Sequence, residues 1–245
     1  MIPLDIVIHS LDNHVGDIVQ ATYPNLLENM VVPNLISLKK ELFWPRLSKL
    51  WVEKVNDHVL SLIHGVEKEY LSCDIVCKCD EDVGVDPLWI TTEFLNDIKC
   101  SGLPNHKLIL KLEIPVMLLR NIDVASGLFN GTRLTVFHLG TNVIGAQIVI
   151  GSNIGHKVFF HRVNLIPSDA NVLVSFQRRQ FPLAVCFAMT INKSQGQTLA
   201  YVGLYLPRHV FTHGQLYVAL SRIKTRERLK IMITFFFFLK KPRRL

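Results

Sequence analysis

The stretch PLAVCFAMTINKSQGQTLAYVGLYL, residues 182–206, decides the fold class of this chain. Its opening run, residues 182–189, is apolar and has the length of a strand, which is typical of a strand buried on both faces of a parallel sheet. A polar segment that contains Gly196 follows, and YVGLYL then predicts a second strand. Two such strands in close succession indicate an α/β layer.

The flanking segments extend the same pattern. Downstream, GQLYVALSR (214–222) predicts a helix and KIMI (230–233) a further strand, so that strands and helices alternate as in a doubly wound parallel sheet. Upstream, a helix over residues 48–63 with Ser48 as its N-cap is predicted by apolar residues at helical spacing, namely Val52, Val55, Val59 and Leu62.

The pattern between these regions is different. Short runs rich in β-branched and aromatic residues are separated by glycine and asparagine turns such as Asn130-Gly131. The runs are residues 108–112, 116–119, 134–139, 143–150 and 158–163. Closely spaced short strands of this kind predict a small antiparallel β-barrel or sheet.

The charge is unevenly distributed along the chain. Its 27 Lys and Arg against 20 Asp and Glu give a net charge of +7. Residues 176–245 contain 13 of the bases and one acid, Glu227, so this part carries +12 and residues 1–175 carry −5. A basic segment on a mildly acidic body fits a polyanionic partner, nucleic acid or a nucleotide, but a solvated basic face explains the composition equally well.

The composition also argues against several classes of protein. Hydrophobic residues make up 49% and charged residues 19% of the 245-residue chain, which argues against disorder and against a coiled coil. The longest apolar runs, residues 182–189 and 235–239, are much shorter than the roughly 20 residues of a membrane-spanning helix. No signal-peptide pattern opens the sequence, so we expect a protein that is neither secreted nor membrane-bound.

The cysteines and histidines do not predict a metal site. The cluster CDIVCKC, with Cys73, Cys77 and Cys79, is spaced C-x3-C-x-C, which matches neither a zinc knuckle nor a redox C-x-x-C motif. His209 and His213 stand four residues apart, but no third ligand accompanies them. We expect reduced thiols and no bound metal.

The segment AMTINKSQGQTL, residues 188–199, is the first candidate for chemistry. It leaves a buried strand at the edge where open α/β sheets bind their ligands. Thr190, Lys193 and Ser194 have side chains that can reach a phosphate, and Gly196 permits close approach of the backbone. A helix N-terminus with polar caps and no ligand would have the same composition.

Ser221 and Arg222, at the end of the predicted helix, form the second candidate. An arginine at this place stabilises a helix through its macrodipole, by roughly 0.3–1 kcal/mol. It is also suited to reach a phosphate held by a neighbouring domain, as an arginine finger does. The residue types alone do not choose between these roles.

Taken together, AMTINKSQGQTL and LYVALSR resemble motifs V and VI of the petite-integration-frequency (PIF) family of superfamily-one DNA helicases, and in particular its plant and Helitron-borne members. Other segments resemble that family in the same order along the chain: ATYPNLLENM, EKVNDHVLSLI, TEFLNDIKCSGLPNHKL, PVMLLRNID, GLFNGTRL and NIGHKVF. The resemblance covers most of residues 21–233.

This resemblance implies an α/β fold, the second RecA-like motor domain of a helicase with a small β-barrel inserted in it. Residues 1–87 would form the first part of the motor domain, with a degraded motif IV. Residues 88–169 would form the barrel, and residues 170–234 the rest of the motor domain with motifs V and VI. Residues 235–245 are a tail that is atypical of the family.

The resemblance also implies roles for individual residues. Contacts with the phosphate backbone of single-stranded DNA would come from Thr190, Lys193 and Ser194. The residues that follow would couple this contact to the nucleotide: Gln195, Gly196 and Gln197. Arg222 would be the arginine finger on the γ-phosphate of ATP, supported by Tyr217 and Ser221.

Two parts that ATP hydrolysis requires are absent from the sequence. It contains no G-x-x-x-x-G-K-[ST] phosphate loop, and no apolar run ends in an Asp-Glu pair that would bind Mg²⁺. ATP and Mg²⁺ are cofactors of the intact family. We expect this chain to bind neither alone, since the first RecA-like motor domain is missing from it.

We therefore expect a fragment of an ATP-dependent DNA helicase that is inactive alone. Its intact relatives would unwind DNA in repair, recombination, telomere maintenance or Helitron transposition. The expected partners are single-stranded DNA and a first motor domain, and the expected location is the nucleus or the mitochondrion. A non-catalytic module that binds single-stranded nucleic acid and a pseudogene product without selected function are alternatives that the sequence leaves open.

Overall fold

A computed structural model describes residues 6–8, 13–22, 34–37, 45–77, 90–100, 102–151, 153–167, 174–194, 202–206, 213–223 and 225–233. The chain divides into two compact units. Unit 1 comprises residues Met1–Leu62 and Phe187–Leu245, and unit 2 comprises residues Ile63–Cys186. The predicted tail, residues 235–245, lies outside the described residues.

The helices are α1 (His14–Thr22), α2 (Pro45–Leu62), α3 (Thr92–Asp97) and α4 (His213–Leu220). The strands are β1 (Val7–Ile8), β2 (Asn34–Ser37), β3 (Lys68–Leu71), β4 (Cys73–Val76), β5 (Lys107–Leu110), β6 (Pro115–Leu118), β7 (Arg133–Leu139), β8 (Ile144–Ile148), β9 (Lys157–Phe160), β10 (Val163–Leu165), β11 (Phe176–Gln180), β12 (Leu183–Val185), β13 (Ala188–Thr190), β14 (Val202–Leu206) and β15 (Leu229–Ile233). None of the helices within these described ranges is long and apolar enough to cross a membrane.

Unit 1 is built on a five-stranded sheet in the order β1-β15-β14-β2-β13. All four strand pairs are parallel, which confirms the predicted α/β class. The sheet core is aliphatic and includes Met189, Leu204 and Ile231, each at most 2% exposed. Helix α2 packs on the sheet, where the Trp51 and Tyr205 rings lie 4.3 Å apart between centroids.

The apolar run at residues 182–189 is not the single strand that the sequence predicts. Its first half, β12, pairs antiparallel with β6 in unit 2, and its second half, β13, pairs parallel with β2 in unit 1. Cys186 and Phe187, between them, are 1% and 0% exposed. The chain is buried at the point where it passes from pairing with β6 to pairing with β2. An apolar run therefore indicates burial but does not show where one strand ends and the next begins.

Helix α2 confirms the predicted helix but begins at Pro45, three residues before the predicted N-cap Ser48. Proline suits the first helical position because its missing N–H is unpaired there and its φ is already helical. The helix ends at Leu62, and Gly65 then adopts φ +135°, which only glycine adopts without strain. The predicted end of the helix at residue 63 is therefore confirmed to within one residue.

Unit 2 is formed almost entirely from antiparallel strands. They form a five-stranded sheet in the order β12-β6-β7-β8-β9, a three-stranded sheet in the order β10-β11-β4 and the pair β3-β5. The predicted short strands are present, but the closed barrel is wrong for the residues that the structure describes. In the five-stranded sheet β12 and β9 are the two edges, and they do not pair with each other.

The limits of unit 2 differ from those predicted for the insert, residues 88 and 169. Strands β3 and β4 come before residue 88, and β11 and β12 come after residue 169. They nevertheless pair within unit 2, β3 with β5, β4 with β11 and β12 with β6. Pairing between strands distant in the sequence is not readable from local composition, which explains the difference.

Arg178 holds the interior of unit 2 together. Its side chain is fully buried and pairs with the carboxylate of Asp74, also fully buried, at 2.6 Å between Nη2 and Oδ2. The guanidinium also donates to the backbone carbonyls of Leu95, Ile98 and Pro104 at 2.7, 3.1 and 3.1 Å. It thereby joins β4 and β11 to α3 and to the loop that follows that helix.

The segment NGTR at residues 130–133 forms the turn that its Asn-Gly pair predicts. Gly131 adopts φ +98°, and its N–H donates to the Leu118 carbonyl at 2.8 Å. The Thr132 hydroxyl donates to the Gly127 carbonyl at 2.9 Å. These bonds give the segment a structural role in unit 2.

Candidate nucleic-acid and nucleotide site

The first candidate segment leaves the sheet of unit 1 at the end of β13. A 3₁₀ turn, Ile191–Ser194, follows Thr190 directly. Because the strands of this sheet are parallel, their carboxyl ends share one edge, and the turn lies at that edge. Thr190 and Lys193 are thus placed where open α/β sheets bind ligands. Ser194 closes the turn.

Asn56 of α2 fixes the start of β13. Its side-chain oxygen accepts from the Ala188 N–H at 2.7 Å, and its amide nitrogen donates to the Ala188 carbonyl at 3.5 Å. Asn56 is only 7% exposed. Asn56 was not among the residues predicted from the sequence, although an amide one helical turn after Val52 interrupts the apolar face of α2 and was the available signal.

Lys193 lies partly buried in the turn that β13 enters. Burial lowers the pKa of its ammonium group below that of an ordinary lysine, because desolvation disfavours the charged form. Ile191, two residues earlier, is 4% exposed and packs in the aliphatic core of unit 1. The turn is therefore anchored by Ile191 and carries a partly buried lysine, a residue type that binds phosphate oxygens.

The second candidate segment ends α4. The Arg222 Nε donates to the Val218 carbonyl at 3.0 Å, and its Nη2 donates to the Ser221 hydroxyl oxygen at 2.9 Å. The Ser221 hydroxyl in turn donates to the same Val218 carbonyl at 2.9 Å. In this arrangement Arg222 caps the carbonyl end of the helix, the simpler of the two roles that the sequence allows.

Tyr217 and Ser221 are related to Arg222 in different ways. Ser221 contacts the guanidinium directly through its hydroxyl group. The Tyr217 side chain is 73% exposed, and its backbone carbonyl accepts from the Ser221 N–H at 2.8 Å. Ser221 thus contacts Arg222 directly, while the Tyr217 ring is directed to solvent, and the roles predicted for both residues at the nucleotide stay predictions.

The two candidate segments are neighbours within unit 1. Helix α4 packs against the 3₁₀ turn that carries Lys193, and Ala219 of the helix shares the aliphatic core with Ile191. The fold therefore brings together the two basic segments predicted from sequence. The three residues predicted to couple them, Gln195, Gly196 and Gln197, lie outside the described residues.

The donor chemistry of this site fits a phosphate better than a metal ion. A guanidinium and an ammonium group are the usual protein ligands of phosphoryl oxygens. Within the described parts of the chain, no group of three or more His, Cys, Asp or Glu side chains is arranged to hold a metal ion. Cys73 is an exposed free thiol and Cys77 a half-buried one, while Cys79 is not among the described residues.

Comparison with known proteins associates both units with one group of helicases. The family model for the 2B domain of DNA helicase Pif1 matches residues 93–139, within unit 2. The ATP-dependent DNA helicase PIF1 of Danio rerio is 33% identical over 181 residues, which cover 74% of this chain and 26% of that protein.

Two solved structures resemble the fold. The crystal structure of Bacteroides Pif1 bound to ssDNA matches with a TM-score of 0.57 and 25% identity, over 96% of this chain and 44% of that one. The crystal structure of the Pif1 helicase from Candida albicans matches with a TM-score of 0.60 and 24% identity, over 91% of this chain and 50% of that one. The chain spans about a quarter of the length of the curated relative and at most half of either solved chain.

Proposed function

Because the chain belongs to the PIF-type family of ATP-dependent DNA helicases, we propose that it supplies the second motor domain and the 2B domain of such a helicase. Unit 1 would be the motor domain and unit 2 the accessory domain. The complete enzyme would couple ATP hydrolysis to the unwinding of DNA in repair, recombination, telomere maintenance or Helitron transposition, in the nucleus or the mitochondrion.

The observation that carries this proposal is the position of Lys193, on an anchored turn at the carboxyl edge of a parallel sheet. In the proposed function Thr190, Lys193 and Ser194 bind the phosphates of single-stranded DNA. The crystal structure of a Bacteroides relative bound to ssDNA supports this choice of polymer. A phosphate oxygen would favour the charged form of the Lys193 ammonium group, which burial disfavours.

Arg222 is proposed to act on ATP that a first motor domain holds. Its guanidinium donates from Nε to the Val218 carbonyl and from Nη2 to the Ser221 hydroxyl, which uses two of its five N–H groups. The γ-phosphate would be bound through the others. ATP and Mg²⁺ would require the phosphate loop and acidic ligands of that other domain, which this sequence lacks.

The DNA-binding part is tested with the purified chain and a fluorescein-labelled oligothymidine, by fluorescence anisotropy over a range of salt concentrations. Lys193→Gln is expected to weaken binding and to reduce the slope of log K against log salt by about 0.7. Lys54→Gln, at an exposed position of α2 in the same unit, is the matched control and should leave both values unchanged. Equal affinity and slope for Lys193→Gln and wild type would refute the proposed contact.

The proposed role in ATP hydrolysis is tested by mixing the purified chain with a separately expressed first motor domain of a relative. We expect DNA-stimulated ATP hydrolysis only in the mixture, and a loss of about 10³-fold or more with Arg222→Ala. The chain alone should show no DNA-stimulated hydrolysis. If the mixture hydrolyses ATP equally well with Arg222→Ala, the arginine-finger assignment is wrong.

A second candidate function, a non-catalytic module that binds single-stranded nucleic acid, is supported by the excess of basic residues in residues 176–245. The same mixture separates the two. DNA binding that persists without any hydrolysis in the presence of a competent first domain would favour the module.

A further inference from the structure

A group of aromatic rings lies on the outer face of the five-stranded sheet of unit 2. The ring centroids of Phe137 and Phe159 are 5.5 Å apart, and those of His138 and Phe159 are 6.2 Å apart. The register of β7 on β8 shifts between Val136 and His138, a β-bulge with Phe137 as the extra residue. Because a bulge interrupts the alternation of faces, it allows Phe137 and its neighbour His138 to approach the same partner ring.

Gly145 makes the space in which these rings meet. It lies in β8 and is the cross-strand partner of His138 on one side and of Phe159 on the other. A Cβ atom at this position would come within 2.7 Å of Phe137 Cζ and 2.9 Å of His138 Cβ. The Phe137 ring therefore lies over the backbone of β8, and Gly145 leaves a space without a side chain around which the three rings lie.

The ring group faces solvent and carries positive charge. Phe159 is 55% exposed, and His138 is also exposed. The ammonium group of the exposed Lys157 lies 5.2 Å from the centroid of the Phe137 ring. Residues 124–168 contain no Asp or Glu, so the strands that present the rings contribute no negative charge.

Exposed aromatic rings beside a lysine, on strands that contain no acidic residue, match the requirements of single-stranded nucleic acid. Bases stack on aromatic side chains when they are not paired in a duplex, and basic groups next to the rings take the phosphates. A protein partner would also use the exposed rings, through apolar contacts. It would not explain why the strands that present them contain no Asp or Glu.

We propose that Phe137, His138, Phe159 and Lys157, the aromatic platform, form a second binding site for single-stranded nucleic acid, in unit 2. A base stacks on Phe159, whose ring is exposed, and the Lys157 ammonium binds an adjacent phosphate. The site uses none of the residues at the end of β13. The proposal for the aromatic platform is therefore tested independently of the contact proposed for Lys193.

The test compares two labelled oligonucleotides of equal length, oligothymidine and a strand of abasic sites, by fluorescence anisotropy with the full chain. Phe159→Ala is expected to weaken binding of oligothymidine about tenfold. The same substitution should leave binding of the abasic strand unchanged, because that strand has phosphates but no bases to stack. Phe159→Trp should restore the affinity for oligothymidine.

Two controls separate stacking from general effects. Phe94→Ala, at a phenylalanine of unit 2 that is 48% exposed on α3, should not change affinity for either strand. Lys157→Gln should weaken binding of both strands equally, because it removes a phosphate contact. A strand that contains 5-iodouracil should form a photo-crosslink with Phe137 or Phe159, located by mass spectrometry of the wild-type chain.

Several outcomes would overturn the proposal. Wild-type affinity of Phe159→Ala for oligothymidine excludes stacking on this ring, and so does an equal loss with the abasic strand. Failure of the wild-type chain to bind oligothymidine excludes the site altogether. A wild-type dimer that Phe159→Ala converts to a monomer, with unchanged DNA binding, would show that the rings are a protein contact.

Discussion

Among individual residues, Arg178 is a fully buried cation of unit 2 that is paired with a fully buried carboxylate. Replacement of Arg178 by Met leaves the Asp74 carboxylate without its cation and removes one hydrogen bond from each of three backbone carbonyls. We expect the free energy of unfolding to fall by about 3–5 kcal/mol, as when one partner of a buried ion pair is removed. Urea denaturation followed by circular dichroism measures the change.

The exposed ion pair of Lys107 and Glu69 provides the comparison for this prediction. Lys107→Met should change the free energy of unfolding by at most about 1 kcal/mol, because solvent screens exposed pairs. The double variant Asp74→Leu with Arg178→Met should lose less stability than the sum of the two single changes, since neither charge is then left unpaired. Strict additivity would contradict the proposed role of the pair.

A pH dependence follows from Lys193. Its folded-state pKa is lowered by desolvation, so it loses its proton at lower pH than an ordinary lysine when pH rises. Affinity for oligothymidine should therefore decline earlier between about pH 8 and about pH 10 for wild type than for Lys193→Arg, which stays charged throughout. Anisotropy titrations at several pH values measure this. Parallel curves for the two proteins would show that Lys193 contributes no charge to binding.

At the scale of secondary structure, helix α3 depends on its N-cap. The Thr91 hydroxyl oxygen accepts from the Phe94 N–H at 3.2 Å. Thr91→Ala should reduce the free energy of unfolding by about 1 kcal/mol, and Thr91→Ser should retain most of it. Thr92→Ala, at the first residue of the helix itself, should change it by at most about 0.5 kcal/mol. Equal effects of the two alanine variants in urea denaturation would contradict the assigned cap.

Elements with a local signal were predictable and those with distant partners were not. The helical spacing of Val55 and Val59, the cap at Thr91 and the turn at Gly131 each depend on neighbouring residues, and each is observed. The division of the apolar run at Cys186, by contrast, depends on strands far away in the sequence. Hydrophobicity determines that such residues are buried, whereas the partner follows from the packing of the whole unit.

The candidate site was predictable to a similar extent. The residue types of Lys193 and Arg222 indicated phosphate chemistry, and the fold places their segments side by side. The hydrogen bonds of Arg222 to Val218 and Ser221 could not be inferred, because rotamers of a flexible side chain depend on local competition between partners. The platform around Gly145 was also missed, since it needs a bulge and two cross-strand pairs to assemble.

At the scale of the whole molecule, unit 2 is one continuous stretch of chain, whereas unit 1 is assembled from two. Unit 2 has its own sheets and its own apolar clusters, around Phe176 and around Met117. We expect residues 63–186 expressed alone to fold, with a single cooperative urea transition and dispersed amide resonances in NMR spectra. A gradual transition with collapsed resonances would show that this unit needs the remainder of the chain.

The hydrogen bonds between Asn56 and Ala188 have a consequence for how such a protein can change during evolution. They hold the two places where the chain leaves and re-enters unit 1 close together, because α2 continues for only about 9 Å from Asn56 to Leu62. A short linker could therefore join Leu62 to Phe187 and leave the parallel sheet intact. Unit 2 can therefore be replaced or altered without changing the sheet of unit 1. Among relatives we expect insertions, deletions and exchanges to accumulate in unit 2, while the strands of unit 1 keep their lengths.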